Sequence, residues 1–170
     1  MPFLPAFPEQ VVKGDMFYWD GVNMRRVAIG AASTVWSVSS GVPAWVTLAS
    51  LNVTAGVYTP TLFIVANIDA MGTTAYECQY LRVGATVTVS GRADVNPTAP
   101  AAATQVGISL PVASNIGAAE DVGGVAFASG IAGQGAAIIG DATNNRAEMN
   151  WISGDVTNQP MYFIFQYQVI

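Results

Sequence analysis

The side chains that usually carry catalysis are scarce in this chain. Histidine is absent, Lys13 is the single lysine and Cys78 the single cysteine. A serine or threonine nucleophile needs a neighbouring base, and a cysteine nucleophile needs a partner that holds it as thiolate. With no imidazole, and the only amine near the N-terminus, nucleophilic catalysis has no support. Structural zinc sites draw on cysteine and histidine, so none is expected, and a disulfide within the chain is impossible. Cys78 reads as a small buried hydrophobe.

Three stretches invite a chemical reading. Gly130-Ile-Ala-Gly-Gln-Gly135 has the glycines of a phosphate-cradling loop but lacks the lysine and hydroxyl residue that must follow them. It reads as a surface turn. Glu120-Asp121 is an adjacent carboxylate pair, whereas glycoside hydrolysis needs two carboxyls converging across a cleft. Asp141, Thr143, Asn144, Asn145 and Glu148 offer oxygens to calcium, but not at the spacing of the helix–loop–helix calcium site. A turn capped by its own Asn and Asp side chains is the simpler account. Arg25, Arg26, Arg82 and Arg146 read as partners for carboxylates across strands or between subunits. No catalytic centre, metal or cofactor is expected.

The frame around these residues is apolar. Only 10% of residues are charged, against about 25% in an average soluble domain, and mean hydropathy is +0.41. Val122–Gly140 is uncharged and long enough to span a bilayer, but its six glycines argue against a helix. No membrane insertion is expected, and the apolar surface is assigned to an oligomer interface. The net charge of −5 and the dispersed arginines exclude phosphate-driven nucleic-acid binding. The N-terminus, MPFLPAFPEQ, lacks the basic start and continuous apolar run of a signal peptide. Synthesis in the cytoplasm, without export by a signal peptide, is expected.

The periodicity is that of short antiparallel strands. Residues 1–13, punctuated by Pro2, Pro5 and Pro8, read as an extended arm carrying Phe3, Leu4 and Phe7. Residues 14–57 form a β-hairpin segment, with turns at Asp20-Gly21 and Ser40-Gly41, followed by a linker over Thr47–Val57. Residues 58–170 form a distal domain. In it Tyr58–Ile68 reads as one strand. Tyr76–Val83 alternates, with Tyr76, Cys78, Tyr80 and Arg82 on one face. A hairpin at Gly84-Ala85 leads to Thr86–Gly91, whose valines face a core. The closing strand, Met161–Ile170, is apolar on both faces, which predicts burial on both sides. Some eight short strands with regular turns predict an all-β fold, an antiparallel β-sandwich or jelly-roll-like domain.

The stretch GDMFYWDGVNMRRVAIGAASTVWSVSSGVPAW resembles a segment recurrent in bacteriophage tail fibres and other virion fibre proteins. The matching positions are Gly14, Asp15, Asp20-Gly21, Arg26, Ile29-Gly30, Val38-Ser39-Ser40-Gly41, Pro43 and Trp45. The following YTPTLF…YECQYLRVGATVTVSGRADV and the closing GDATNNRAEMNWI…YFIFQYQVI resemble the β-rich distal domains of phage structural proteins. The segment begins close to the N-terminus, without a long stalk before it, which favours a short appendage.

The resemblance implies a non-enzymatic homotrimer of the virion, a capsid decoration (cement) protein or head fibre. Phe3, Leu4, Phe7, Phe17, Tyr18 and Trp19 are expected to attach to the major capsid protein or another virion component. Arg25, Arg26, Trp36 and Trp45 are expected at the trimer interface. The alternative is a short tail-fibre or receptor-binding protein that recognises a host-surface glycan or protein.

Overall fold

A computed structural model describes residues 11–48 and 51–170. The chain divides into two compact units, Met1–Val53 and Thr54–Ile170. The expected arm residues Phe3, Leu4 and Phe7 lie outside the described residues.

The first unit contains two hairpins. β1 (Met16–Trp19) pairs antiparallel with β2 (Met24–Val27), and β3 (Thr34–Ser39) with β4 (Val42–Thr47). Both turns use left-handed backbone where the sequence supplies it, at Gly21 (φ 99°) and at Ser40-Gly41 (φ 53° and 81°). Aspartates brace the first hairpin. The Asp20 carboxylate accepts the Val22 and Asn23 amides inside its own turn, and also pairs with Arg25. The sheltered Asp15 side chain accepts the amides of Val12 and Ile29 and the Arg26 Nε at 2.6 Å, tying the hairpin's two ends together.

The second unit is one antiparallel sheet. Its strands are β5 (Val53–Tyr58), β6 (Leu62–Ala66), β7 (Thr74–Ala75), β8 (Cys78–Val83), β9 (Thr86–Val95), β10 (Ala103–Ile108), β11 (Val122–Ala128), β12 (Gly135–Asp141), β13 (Arg146–Ile152) and β14 (Gln159–Gln168). The order is β5-β8-β9-β14-β11-β12-β13-β10-β6, with β7 alongside β9. The edge strands β5 and β6 are consecutive in the chain. In a flat sheet, eight spacings would separate them by about 38 Å. The link from Tyr58 to Leu62 spans at most about 14 Å. The sheet must therefore curl, and it forms a half-barrel around one core. Ser109 fastens the seam: its hydroxyl accepts the Thr61 amide (2.9 Å), its amide donates to the Thr61 carbonyl (3.0 Å), and its carbonyl accepts the Tyr58 hydroxyl (3.2 Å).

The all-β, antiparallel fold is as the sequence predicts, and the valines of Thr86–Gly91 do face the core. Val87, Val89, Ala93 and Val95 of β9 are fully buried; Val87, Val89, Gly91 and Ala93 lie opposite Tyr167, Phe165, Phe163 and Met161 of β14. Phe163, Phe165 and Tyr167 stack in file, with centroids 5.9 and 6.3 Å apart. The Tyr167 hydroxyl reaches the Val112 backbone, and burial pushes its phenol up to about 12.

Three local expectations are corrected. Thr47–Val57 is not all linker, because Val53–Tyr58 is an edge strand. Gly56 belongs there because the Tyr80 ring lies where its side chain would be, with Cε1 only 2.9 Å from a Cβ position. Tyr58–Ile68 is two strands at opposite edges, broken at Pro60. Finally, Tyr76 does not share a face with Cys78. Ala75 pairs with Ala93 and Gln79 with Ser90, so one strand carries an extra residue between these pairs. This β-bulge turns Tyr76 outward while Cys78 and Tyr80 point to the core.

The closing strand also differs from expectation within a single copy. Its odd-numbered residues from Met161 to Tyr167 are buried, whereas Tyr162 and Ile164 on the other face are half-exposed.

Candidate functional site

The bulge at Tyr76-Glu77 builds the most distinctive polar constellation on the outer surface. Arg92 of β9 lies opposite Tyr162 of β14. The Arg92 guanidinium sits 4.5 Å from the centre of the Tyr76 ring and 5.8 Å from that of Tyr162. Both distances are within the range of cation–π attraction. It also grips Asp94 with two hydrogen bonds of 2.9 Å, through Nε and Nη2. The Tyr76 hydroxyl donates to the same carboxylate at 3.0 Å, and that bond raises the phenol's pKa. Glu77, Gln79 and Ser90 border a shallow depression of about 420 Å³ beside Arg92 and Tyr162. The result is a pre-ordered surface of aromatic rings next to planar donors and acceptors. Such a surface can stack on an apolar face of a ligand while hydrogen-bonding its hydroxyls.

The remaining sequence candidates fall elsewhere. A second open depression, of about 590 Å³, is lined by residues including Phe63, Ser109, Asn115, Asn144 and Arg146. The Arg146 guanidinium lies 4.8 Å from the Phe63 ring centre and pairs with Asp141 at 2.8 Å. The Asp141 carboxylate is further occupied by the Asn144 amide and side chain. The carboxylates considered for calcium are thus engaged, Asp141 by Asn144 and Arg146 and Glu148 by Arg146. Among the described residues no group of three acidic, cysteine or histidine side chains gathers as a metal site.

Asp121 spends its carboxylate on the Gly117 and Ala118 amides at a single 3-10 turn, Ala119–Asp121. In the glycine-rich stretch, Gln134 is buried and binds the Ile152 carbonyl and the Gly154 amide, so the loop is pinned to the strand end of β13. Cys78 is fully buried, and burial raises its thiol pKa.

In the first unit, Phe17, Tyr18 and Trp19 lie together on β1, with Trp19 exposed. Arg25 and Arg26 form the ion pairs already described. Trp36 and Trp45 face each other across the β3–β4 ladder, edge to face at 5.1 Å. All four residues assigned to the trimer interface therefore have partners within their own chain.

The sequence reading missed Asn67, which follows β6 in left-handed backbone (φ 53°). Its amide nitrogen donates to the Ala99 carbonyl and the Thr104 hydroxyl, and its carbonyl oxygen accepts the Thr98 hydroxyl and the Ala99 amide. The signal available was an Asn at the end of an apolar run, a residue type that tolerates this conformation.

No family model matches the chain, and no curated protein does. Among solved structures, the chain is similar to the reovirus attachment protein sigma1, crystallised in complex with alpha-2,3-sialyllactose. That superposition is loose, with a TM-score of 0.38 and 11% identity over 96% of this chain and 99% of the other. No helix among the described residues is long and apolar enough to cross a membrane.

Proposed function

We propose that this chain is a non-enzymatic structural protein of a bacteriophage particle. It acts as a homotrimeric capsid decoration protein or head fibre, made in the host cytoplasm and displayed on the virion. The observation that carries this reading is the division of labour in the fold. A small unit of two hairpins, with the virion-fibre resemblance, precedes a separately cored β unit whose outer face is unusually apolar. The hairpin aromatics Phe17, Tyr18 and Trp19, with the arm residues Phe3, Leu4 and Phe7, supply apolar anchors for the capsid protein or another virion component. Threefold attachment multiplies a weak single contact through effective concentration.

A second reading is favoured by the Tyr76–Arg92–Tyr162 constellation, which suits a host-surface glycan and hence a short tail-fibre or receptor-binding role. Imaging of phage particles labelled with an antibody to residues 54–170 separates the two. Many labels distributed over the head support decoration. Labels confined to the tail tip would sink it and make Arg92 and Tyr162 the residues to alter in adsorption assays.

A further inference from the structure

We infer that the depression beside Arg92 and Tyr162 binds an uncharged pyranose unit of a glycan and turns away sugars that carry a carboxylate. The inference rests on the receptor-binding reading above and names the ligand class for it. What distinguishes this part of the outer face is a set of polar groups left without partners. Elsewhere on that face, polar side chains that meet across the ladder bond one another: Gln105 donates to Asn150 at 2.7 Å and Gln166 to Thr88 at 3.2 Å. Gln79 and Ser90 also lie directly opposite each other, yet neither side chain has a hydrogen-bond partner among the described residues. The Glu77 carboxylate, exposed at the bulge, is likewise free among the described residues. Arg92 uses two of the five N–H groups of a guanidinium on Asp94, which leaves three.

These groups select by charge as well as by hydrogen bonding. Arg92 is already paired with Asp94, so it offers an anion no unmatched positive charge, and Glu77 repels one. An ammonium group, in turn, meets the Arg92 guanidinium as a like charge. A neutral ligand escapes both penalties. Sugar hydroxyls each donate and accept, which suits free guanidinium and amide donors set beside carboxylate, amide and hydroxyl acceptors. Tyr162, 52% exposed, supplies ring surface for the C–H face of a pyranose. An apolar ligand fits poorly, because an open depression of about 420 Å³ does not enclose the roughly 70–90% of surface that such ligands bury. Tyr76 and Asp94 hold Arg92 in place beforehand, so little side-chain freedom is lost on binding.

The test titrates methyl glycosides of glucose, galactose and mannose, and the matching methyl uronides, into the isotopically labelled full chain. Each uronide differs from its neutral counterpart only by a carboxylate in place of the hydroxymethyl group. At least one neutral glycoside is expected to shift the amide signals of Gln79, Arg92 and Tyr162 together. Asn144 and Asn145, in the second depression, should stay still. The matching uronide should bind about fivefold more weakly, and Glu77→Gln should close that gap. Tyr162→Ala should weaken the neutral glycoside about tenfold, whereas Tyr162→Phe, which keeps the ring, should not. Unshifted amide signals of Val87 and Val89 check that each variant is folded.

The inference is overturned if no neutral glycoside shifts these amides. It is also overturned by a uronide that binds there as tightly as its neutral counterpart, a result that leaves a glycan-receptor role standing. Stronger shifts of the same amides by Nα-acetyl-lysine amide overturn it too and give the site to a basic protein partner. Particle labelling confined to the head removes the tail-fibre role whatever the amides show, so the two failures are told apart.

Discussion

The sulfur of Cys78 occupies the space that a side chain on Gly91 would need: a Cβ at Gly91 would overlap Sγ. Gly91 lies on the inward-facing register of β9, between Val89 and Ala93, and the fully buried Cys78 fills its place from the neighbouring strand. Gly91→Ala is expected to destabilise the β unit by about 1–3 kcal/mol, the usual effect of overpacking. Cys78→Ala in the same chain removes Sγ and should recover part of the loss. Urea unfolding of the two single variants and the double variant measures this coupling, and strictly additive losses would contradict it.

Inner and outer faces of the sheet should respond unequally to truncation. Phe165 is buried between Phe163 and Tyr167, so Phe165→Ala should cost about 3–5 kcal/mol. Phe127→Ala, on the exposed face, should change the stability of the isolated monomer by no more than about 0.5 kcal/mol. Chemical denaturation at dilute concentration separates the two effects.

The first hairpin should be acid-labile. Asp20 is held down to about 2 by the Asn23 amide first, then by Arg25 and the Val22 amide, and Asp15 is lowered chiefly by the Val12 amide. Because these folded pKa values are depressed, the stabilisation is complete above the unfolded value near 4. It is lost as pH falls from there through 2. The amide signals of residues 14–29 should therefore hold at pH 5 and collapse towards pH 2. In Asp20→Asn the part of the transition belonging to Asp20 should vanish. An unchanged acid transition in that variant would rule out this carboxylate as its origin.

Asn67 should be essential to the junction between the end of β6 and the loop that leads into β10. Asn67→Ala leaves the Thr104 hydroxyl and the Ala99 backbone short of partners and should destabilise by about 1–3 kcal/mol. Asn67→Asp keeps the acceptor oxygen but sets its second carboxylate oxygen against the Ala99 carbonyl, and should cost at least as much as alanine at neutral pH. Hydrogen exchange of the Thr98 and Ala99 amides reports the local opening directly.

What the sequence reveals of this fold is its local part. Thr86–Val89 alternates so regularly that its inward valines are legible at sight, and the Asp20-Gly21, Ser40-Gly41 and Gly84-Ala85 turns follow from residues that accept left-handed or tight backbone. The bulge that turns Tyr76 outward is not legible, because a strand with one extra residue looks the same as an unbulged one until its partner is known. Gly56 reads as a linker glycine and is instead a seat for Tyr80, a ring contributed by β8. The Tyr76–Arg92–Tyr162 cluster needs three strands in a register that no short window contains. The two-faced apolarity of β14 is legible, but within one copy Tyr162 and Ile164 on its second face stay half-exposed.

The place of β14 in the sheet bears on how the protein is made. It inserts between β9 and β11, so that Phe165 pairs with Val89 on one side and Gly124 on the other. While a ribosome is still short of residue 159, the halves of the sheet that flank it have no common neighbour, and the row from Met161 to Tyr167 is missing from the core. Nascent chains of this protein must stay unlocked, with two open strand edges, until nearly all of the β unit has been synthesised. Closure of the core is then a late event in folding, reached only when β14 joins the two halves.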